Sequence, residues 1–352
     1  MKKLLPLLGL FILSACSKGD VLTEPVAEDR VKSIYYCGYD KKDGVVRPCY
    51  WESGLEFLDL PEGMVGGKAT SIAVSSSGTI YICGYAETLE GENVPCFWNN
   101  GKFAQLDYSN GDSAVCGSIA FQDGNVLISG TIYYGGIPTA AGYWKNGVFN
   151  SVATGSIVND IAVEDGSIYL AGAYFDASLT EHPCYWKDGV RETFDFPTKL
   201  EGASLTSIDP NDGDIYASGF CLNEEGNPCP FAWKNGSYTQ LSENVGITSS
   251  ISARNGKYAV SGTLLDGEYD LYKPYLWVDG DQMETGLGEF GFGTINSVVY
   301  ANQIYSCGSV ISISSDLEMQ MEPCYWEGTK QKLLQSDGNA EALDVFVVFY
   351  SE

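Results

Sequence analysis

One histidine, His182, stands in a chain of 352 residues. That scarcity excludes metal centres built from several imidazoles and leaves carboxylates as the main acid–base candidates. Positive charge is the second scarcity. Twenty Lys and Arg face 46 Asp and Glu, a formal net charge of −26. A surface this negative repels phosphate backbones, which excludes nucleic acid as a partner and charge-driven adhesion to anionic lipid. Charged residues make up only 19% of the chain and hydrophobic ones 44%, enough apolar material for a large core. No Gly-x-Ser-x-Gly, phosphate loop or calcium-loop spacing occurs. Asn211-Asp212-Gly213-Asp214 looks calcium-like but falls on a turn that every repeat has. No cofactor is expected; calcium suits the acidic composition, but no motif supports it.

Aromatics and glycine are what the chain has in quantity: 23 Tyr, 15 Phe, 7 Trp and 41 Gly. That mixture favours short strands and tight turns over helices. The tryptophans recur once per repeat, at Trp51, Trp98, Trp144, Trp186, Trp233, Trp277 and Trp326. A glycine follows three residues after the first six and two after the last. Each repeat supplies four strand signals, a to d. Strand b always ends in Gly after a small residue: Gly38, Gly84, Gly130, Gly172, Gly219, Gly262 and Gly308. Glycine inside a strand marks close approach of another backbone or a bulky ring. Strand c leads into the Trp, and strand d follows an Asn-Gly or Asp-Gly turn, which supplies the positive φ of a two-residue hairpin.

The offset between the two ends decides the topology. The N-terminal repeat opens directly with strands b, c and d, whereas the C-terminus stops on a strand a, Glu341 to Val348. Each end completes the other. The sequence therefore predicts a seven-bladed β-propeller over residues 31–352, four antiparallel strands per blade, closed by the C-terminal strand a joining the N-terminal b-c-d. Closure removes the exposed edges that an open array would offer. The Trp in every repeat reads as core, and a monomer is expected.

Ten cysteines follow Cys16. Three pairs, Cys37–Cys49, Cys83–Cys96 and Cys307–Cys324, place one thiol before the strand-b Gly and one two residues before the Trp. Cys221–Cys229 lies nearer the hairpin tip on the same two strands. Cross-strand proximity predicts four disulfides. Cys116 and Cys184 are left over, either paired with each other across blades or buried as thiols.

Met1 to Cys16 reads as an export signal: Lys2 and Lys3, then an apolar Leu4 to Leu13 too short to span a bilayer. Leu13-Ser14-Ala15-Cys16 resembles the bacterial lipobox. That resemblance implies a signal peptide over 1–15, acylation of Cys16, a flexible tether over 16–30 and no other attachment to the membrane. Ser17 resembles the residue found in outer-membrane sorting, so the expected address is the outer membrane, facing the periplasm or the surface. The repeat Ile-Tyr-x-x-Gly…Tyr-Trp-Lys-Asn-Gly resembles uncharacterised β-propeller lipoproteins of diderm bacteria over about residues 31–350. It is only loosely kelch-like.

Function is expected on the rim where the b–c and d–a loops emerge, because variable loops on a rigid scaffold carry binding. The aromatic candidates there are Tyr133, Tyr134, Phe175, Tyr269, Tyr272, Phe290 and Phe292, beside many carboxylates. Aromatic faces next to carboxylates suit a glycan or a peptide. A second constellation stands just before each strand-a centre: Ser71, Ser118, Asp160, Ser207, Ser250, Ser297 and Asp344. Two readings are open for it, a ring bonding to backbone where blades converge and a polar channel mouth where Asp160 and Asp344 help bind a cation. The expected activity is a non-catalytic binding scaffold for a glycan or protein. The alternatives are a carbohydrate-active enzyme using acidic rim residues and an envelope-assembly factor, like the lipoprotein propeller of the outer-membrane barrel-assembly machinery.

Overall fold

The computed structural model describes residues 31–109, 111–193, 202–283, 285, 291–313 and 319–350. The expected leader and tether lie outside the described residues. Seven four-stranded antiparallel sheets form the blades of a propeller. The first blade is shared between the chain ends: Asn339–Phe349 pairs with Val31–Lys42, which continues into Val45–Trp51 and Leu55–Phe57. Tyr36 faces Val345 and Tyr35 faces Phe346 across that seam. The predicted closure is the observed one.

Apolar side chains gather in seven clusters, one per blade interface. Each Trp packs against the preceding blade. In blades 1, 2 and 3 the indole also ties the two blades, because its Nε1 donates to a carbonyl of the segment entering from the preceding blade. Trp98 bonds Asp59 O, Trp144 bonds Asp107 O and Trp51 bonds Gln335 O, each at 2.7 Å. In these three blades the bond gives tryptophan a role that another large apolar residue could not fill. Trp144→Phe keeps most of the apolar volume and deletes the bond. It should cost about 2 kcal/mol in urea unfolding; an unchanged midpoint would count against the tie.

Strand a carries an irregularity that the sequence hides. All seven copies have a β-bulge at the same place, for example between Ala69 and Ser71, Val158 and Asp160, and Ala342 and Asp344. The bulge drives a strand-a carbonyl against strand b. A Cβ on Gly172 would sit 2.0 Å from Ile157 O, and one on Gly308 2.0 Å from Thr294 O. The strand-b glycines thus answer the close backbone approach predicted for them, and the bulge is its cause. The turns also have a second use. Asn100, Asn146, Asp188, Asn235 and Asp279 adopt positive φ, and each accepts with Oδ1 the N–H that opens strand b of its blade.

Two expectations need correction. The two-residue hairpin expected before strand d is not universal, since the connection at 52–54 is three residues long; before strand b, Ser75–Thr79 spans five residues and 301–303 three. Conversely, the b–c turns of blades 1 and 3 are only Asp43-Gly44 and Gly135-Gly136. The cysteines are the larger correction. All ten described thiols are free and buried. Cys37 faces Tyr50 while Cys49 faces Gly38; Cys83 faces Phe97 while Cys96 faces Gly84; Cys307 faces Tyr325 while Cys324 faces Gly308. The partners are one residue out of step, so alternation sends them to opposite faces of the blade. Cys37 lies between blades 1 and 2, and Cys49 between blades 7 and 1. Cys37–Cys49, Cys83–Cys96 and Cys307–Cys324 therefore cannot bridge in this register. Only Cys221 and Cys229 are direct partners, as free thiols here. Cys116 and Cys184 sit in different interfaces and do not meet.

Candidate functional site

The bulge turns one Ser or Asp of each strand a toward its neighbours around a central cavity of about 390 Å³. Asp344 Oδ2 accepts from Ser71 Oγ (2.7 Å) and Ile72 N (2.9 Å), and its Oδ1 from Ser297 Oγ (2.7 Å) and Val345 N (2.9 Å). Asp160 does the same with Ser118 Oγ and Ile161 N on Oδ1, and Ser207 Oγ (2.7 Å) and Ile208 N (2.9 Å) on Oδ2. The serines pass the pattern on, since Ser71 Oγ accepts Ile119 N and Ser207 Oγ accepts Ile251 N. Each carboxylate thus straddles two blade junctions with four donors. A carboxylate offers about four acceptor positions, and here all are filled from within the wall. Of the two readings of the ring, the arrangement matches bonding between blades. Neither Asp160 nor Asp344 has a lone pair left for a cation.

Burial pushes both carboxyls above their usual range, opposed by the hydroxyl and amide donors. A third channel carboxylate was missed in the sequence. Asp209, one residue past the strand-a centre of blade 5, accepts Ala253 N at 2.7 Å. Burial, aided by the charges of Asp160 and Glu164, pushes it up to about 7, against the opposing bonds from Ala253 N and Ser252. Among the described residues lining the cavity there is no lysine, arginine or histidine. The other blades put Ala73, Ala120, Ala162, Ser252, Val299 and Phe346 at this position, so the repeat pattern itself was the available signal.

On the long-loop rim the aromatic candidates separate into groups. Tyr269 and Phe292 meet edge-to-face with centroids 5.5 Å apart. Lys273 Nζ lies 5.3 Å from the Phe292 centroid and 2.5 Å from Asp266 Oδ2. Asp266 Oδ1 in turn accepts Glu268 N and Tyr269 N, which fixes the turn that presents Tyr269. The lysine holds the Asp266 carboxyl below its usual range, with smaller help from the amides. Tyr269 is 59% exposed. Tyr272 is exposed on the same hairpin but one residue from Lys273, so it projects from the opposite face. Phe290 lies outside the described residues.

Blades 3 and 4 hold the rest. Tyr134 and Ile137 are exposed cross-strand partners at a hairpin tip. Tyr133 is partly buried, which raises its phenol, and Glu181 adds to the shift. Phe175 faces Glu181 across blade 4. His182 Nε2 lies 3.0 Å from Asp176 Oδ2, and its ring stacks on Tyr174, under Arg191. Asp176 Oδ1 also accepts Ser178 N and Thr180 N. The resulting loop places Leu179 at φ 63°, a left-handed position that the corresponding loops of blades 2 and 5 give to Gly91 and Gly226. Leu179 is 81% exposed. Among the described residues no group of three or more His, Cys, Asp or Glu is arranged to hold a metal ion.

No known family model matches the chain, and no curated protein matches it. Similar solved structures exist at low identity. The hydrazine synthase of Kuenenia stuttgartiensis aligns over 72% of this chain with a TM-score of 0.45 and 10% identity, but only 44% of that enzyme's chain is covered. The lectin BP39L of Burkholderia pseudomallei aligns over 91% of this chain and 99% of its own, with a TM-score of 0.45 and 11% identity. A polysaccharide lyase, an ulvan lyase solved bound to -[GlcA(1-4)Rha3S]-, aligns over 78% of this chain and 86% of its own, with a TM-score of 0.50 and 10% identity. At these identities the likeness is one of fold alone.

Proposed function

We propose that this chain is an outer-membrane-anchored lipoprotein whose propeller is a non-catalytic scaffold that binds a glycan on the long-loop rim. The observation that carries the reading is the blade-6 platform. An exposed Tyr269 ring, braced by Phe292, stands beside a prepositioned Lys273–Asp266 pair. The C–H face of a sugar ring stacks on an aromatic face, while fixed charged groups orient its hydroxyls. The net charge of −26 favours neutral or amino sugars over uronates. A glycan panel with product analysis tests this. Wild-type chain should bind at least one neutral or amino glycan saturably and release no fragments. Tyr269→Ala should weaken that binding about 10-fold, roughly 1.4 kcal/mol. Binding unaffected by Tyr269→Ala, or none across the panel, would overturn it.

One observation favours the carbohydrate-active enzyme as the second reading. His182 is oriented by Asp176 at 3.0 Å on the rim of blade 4, as a general base would be. Glycan turnover that disappears in His182→Ala would select that reading.

A further inference from the structure

Cys221 and Cys229 differ from every other thiol pair in the molecule. They are direct cross-strand partners and both face the space between blades 4 and 5. Leu222 N–H donates to Gly202 O on the strand-a side at 2.8 Å, and Asn223 N–H donates to Asn227 O at 2.9 Å. The Cys221 N–H therefore points to strand c, and the pair occupies a hydrogen-bonded site of the ladder. Cα atoms at such sites are about 5.5 Å apart, within the ~4.4–6.8 Å that a disulfide spans. The Cβ atoms, however, start near the wide end of ~4.5–5.5 Å and must draw in toward ~3.8 Å. At present the sulfurs look elsewhere: Cys221 Sγ lies 3.5 Å from Tyr238 Oη, and Cys229 Sγ 3.6 Å from Glu243 O.

We propose that Cys221 and Cys229 form a reversible disulfide that locks the blade-5 hairpin at the long-loop rim. The oxidant is a disulfide, either a small one of the glutathione type or one carried by a dithiol oxidoreductase. One cysteine thiolate attacks it, breaking its S–S bond, forming a mixed disulfide and releasing one thiol. The second thiolate then displaces the other thiol. Two electrons pass to the oxidant, and the two cysteine protons end on the released thiols. Both cysteines are buried, at 1% and 4% exposure, so exchange takes place while the hairpin Asp214–Lys234 is open, during folding or local opening. Drawing the strands together against their ladder bonds strains the bridge and makes it easy to reduce. Closing it removes the Cys221 bond to Tyr238 and stiffens the Asn223–Asn227 loop.

The test uses the full chain refolded in oxidised glutathione, alkylated, digested and mapped by mass. The expected product is one peptide pair joined through Cys221 and Cys229 and lighter by two hydrogens, with Cys37, Cys49, Cys83, Cys96, Cys307 and Cys324 alkylated. Transfer of the folded protein to reduced glutathione should return both thiols. Cys221→Ser should abolish the linked peptide and keep wild-type tryptophan emission, showing that the fold does not require the bridge. Alkylation of both cysteines after oxidative refolding would overturn the proposal. So would a linkage that joins either of them to a different cysteine.

Discussion

A chain ending at Gly338 should fail to fold. The deletion removes strand a of blade 1, and with it Ala340, Ala342, Val345 and Val347, all buried. Ala342, Val345 and Val347 pack in the interface of blade 1 with blade 7, and Phe346 and Val348 of the same strand pack against the interface with blade 2. Fully burying a valine side chain is worth ~1.5–3 kcal/mol, and an alanine methyl less. The loss includes Asp344, which ties Ser71 on one side to Ser297 on the other. It also leaves the inner edge of Val31–Lys42 unpaired, where Tyr36 had faced Val345. Together these losses approach the whole ~5–15 kcal/mol that holds a typical domain folded. Urea unfolding followed by tryptophan emission should show no cooperative transition, with emission red-shifted from the start. A truncated chain with wild-type emission and a sharp transition would mean that the other six blades stand without the seam. The seam joins residues about 300 apart, so it should also form late, since contacts so distant in sequence are slow to close.

What was legible in the sequence is what repeats. The Trp, the strand-b Gly and the Asn-Gly or Asp-Gly turns recur because each blade solves the same packing problem, so blade number and closure could be read without coordinates. The Ser/Asp ring was visible for the same reason. Its chemistry was not, because the bulge that re-aims those side chains has no residue signature: the extra residue is Thr70 in one blade, Asn159 in another and Leu343 in a third. The cysteines failed for a related cause. Their spacing shows that two thiols share a pair of strands, but a one-residue difference in register decides whether they share a face. Cys37 and Cys49 fall on the wrong side of that difference and Cys221 and Cys229 on the right one.

The rim was legible only in outline. Tyr269 and Phe292 come together although they enter from different loops, a proximity no local pattern encodes. Tyr272, three residues from Tyr269, is turned away by strand alternation. A further rim contact escaped the sequence altogether. Tyr39 lies under Lys68 from blade 2 and bonds Glu341 on its own inner strand. Glu341 also accepts from Thr294 and Asn296 of blade 7, so these residues knot three blades at the seam.

One substitution, Asp to Asn, should act with opposite sign at two places in the channel. Asp344→Asn puts an amide where a carboxylate oxygen accepted both a hydroxyl and a backbone N–H. The serine hydroxyl can turn to accept, but the backbone N–H cannot, so two donors face each other across a blade junction. Orphaned buried donors cost about 1–3 kcal/mol each, and at Asp344, with four donors to serve, that loss outweighs relief of the burial that raises its carboxyl. We expect a loss of about 3–5 kcal/mol at pH 7. Asp209 is different because its one backbone partner, Ala253 N, can be served equally by an amide oxygen. Its carboxyl rises to about 7 in the folded chain, against about 3.9 unfolded. The folded state therefore holds more protons between those values, and stability falls as pH climbs through them, levelling off above about 7. Asp209→Asn removes that penalty. The variant should gain under about 1 kcal/mol at pH 4 and up to about 4 kcal/mol at pH 8, since each tenfold change in proton affinity is worth ~1.36 kcal/mol. Urea midpoints of the wild type and both variants across pH 4–8 decide the matter. A destabilised Asp209→Asn at pH 8 would mean that its bonds from Ala253 N and Ser252 outweigh the burial of its charge.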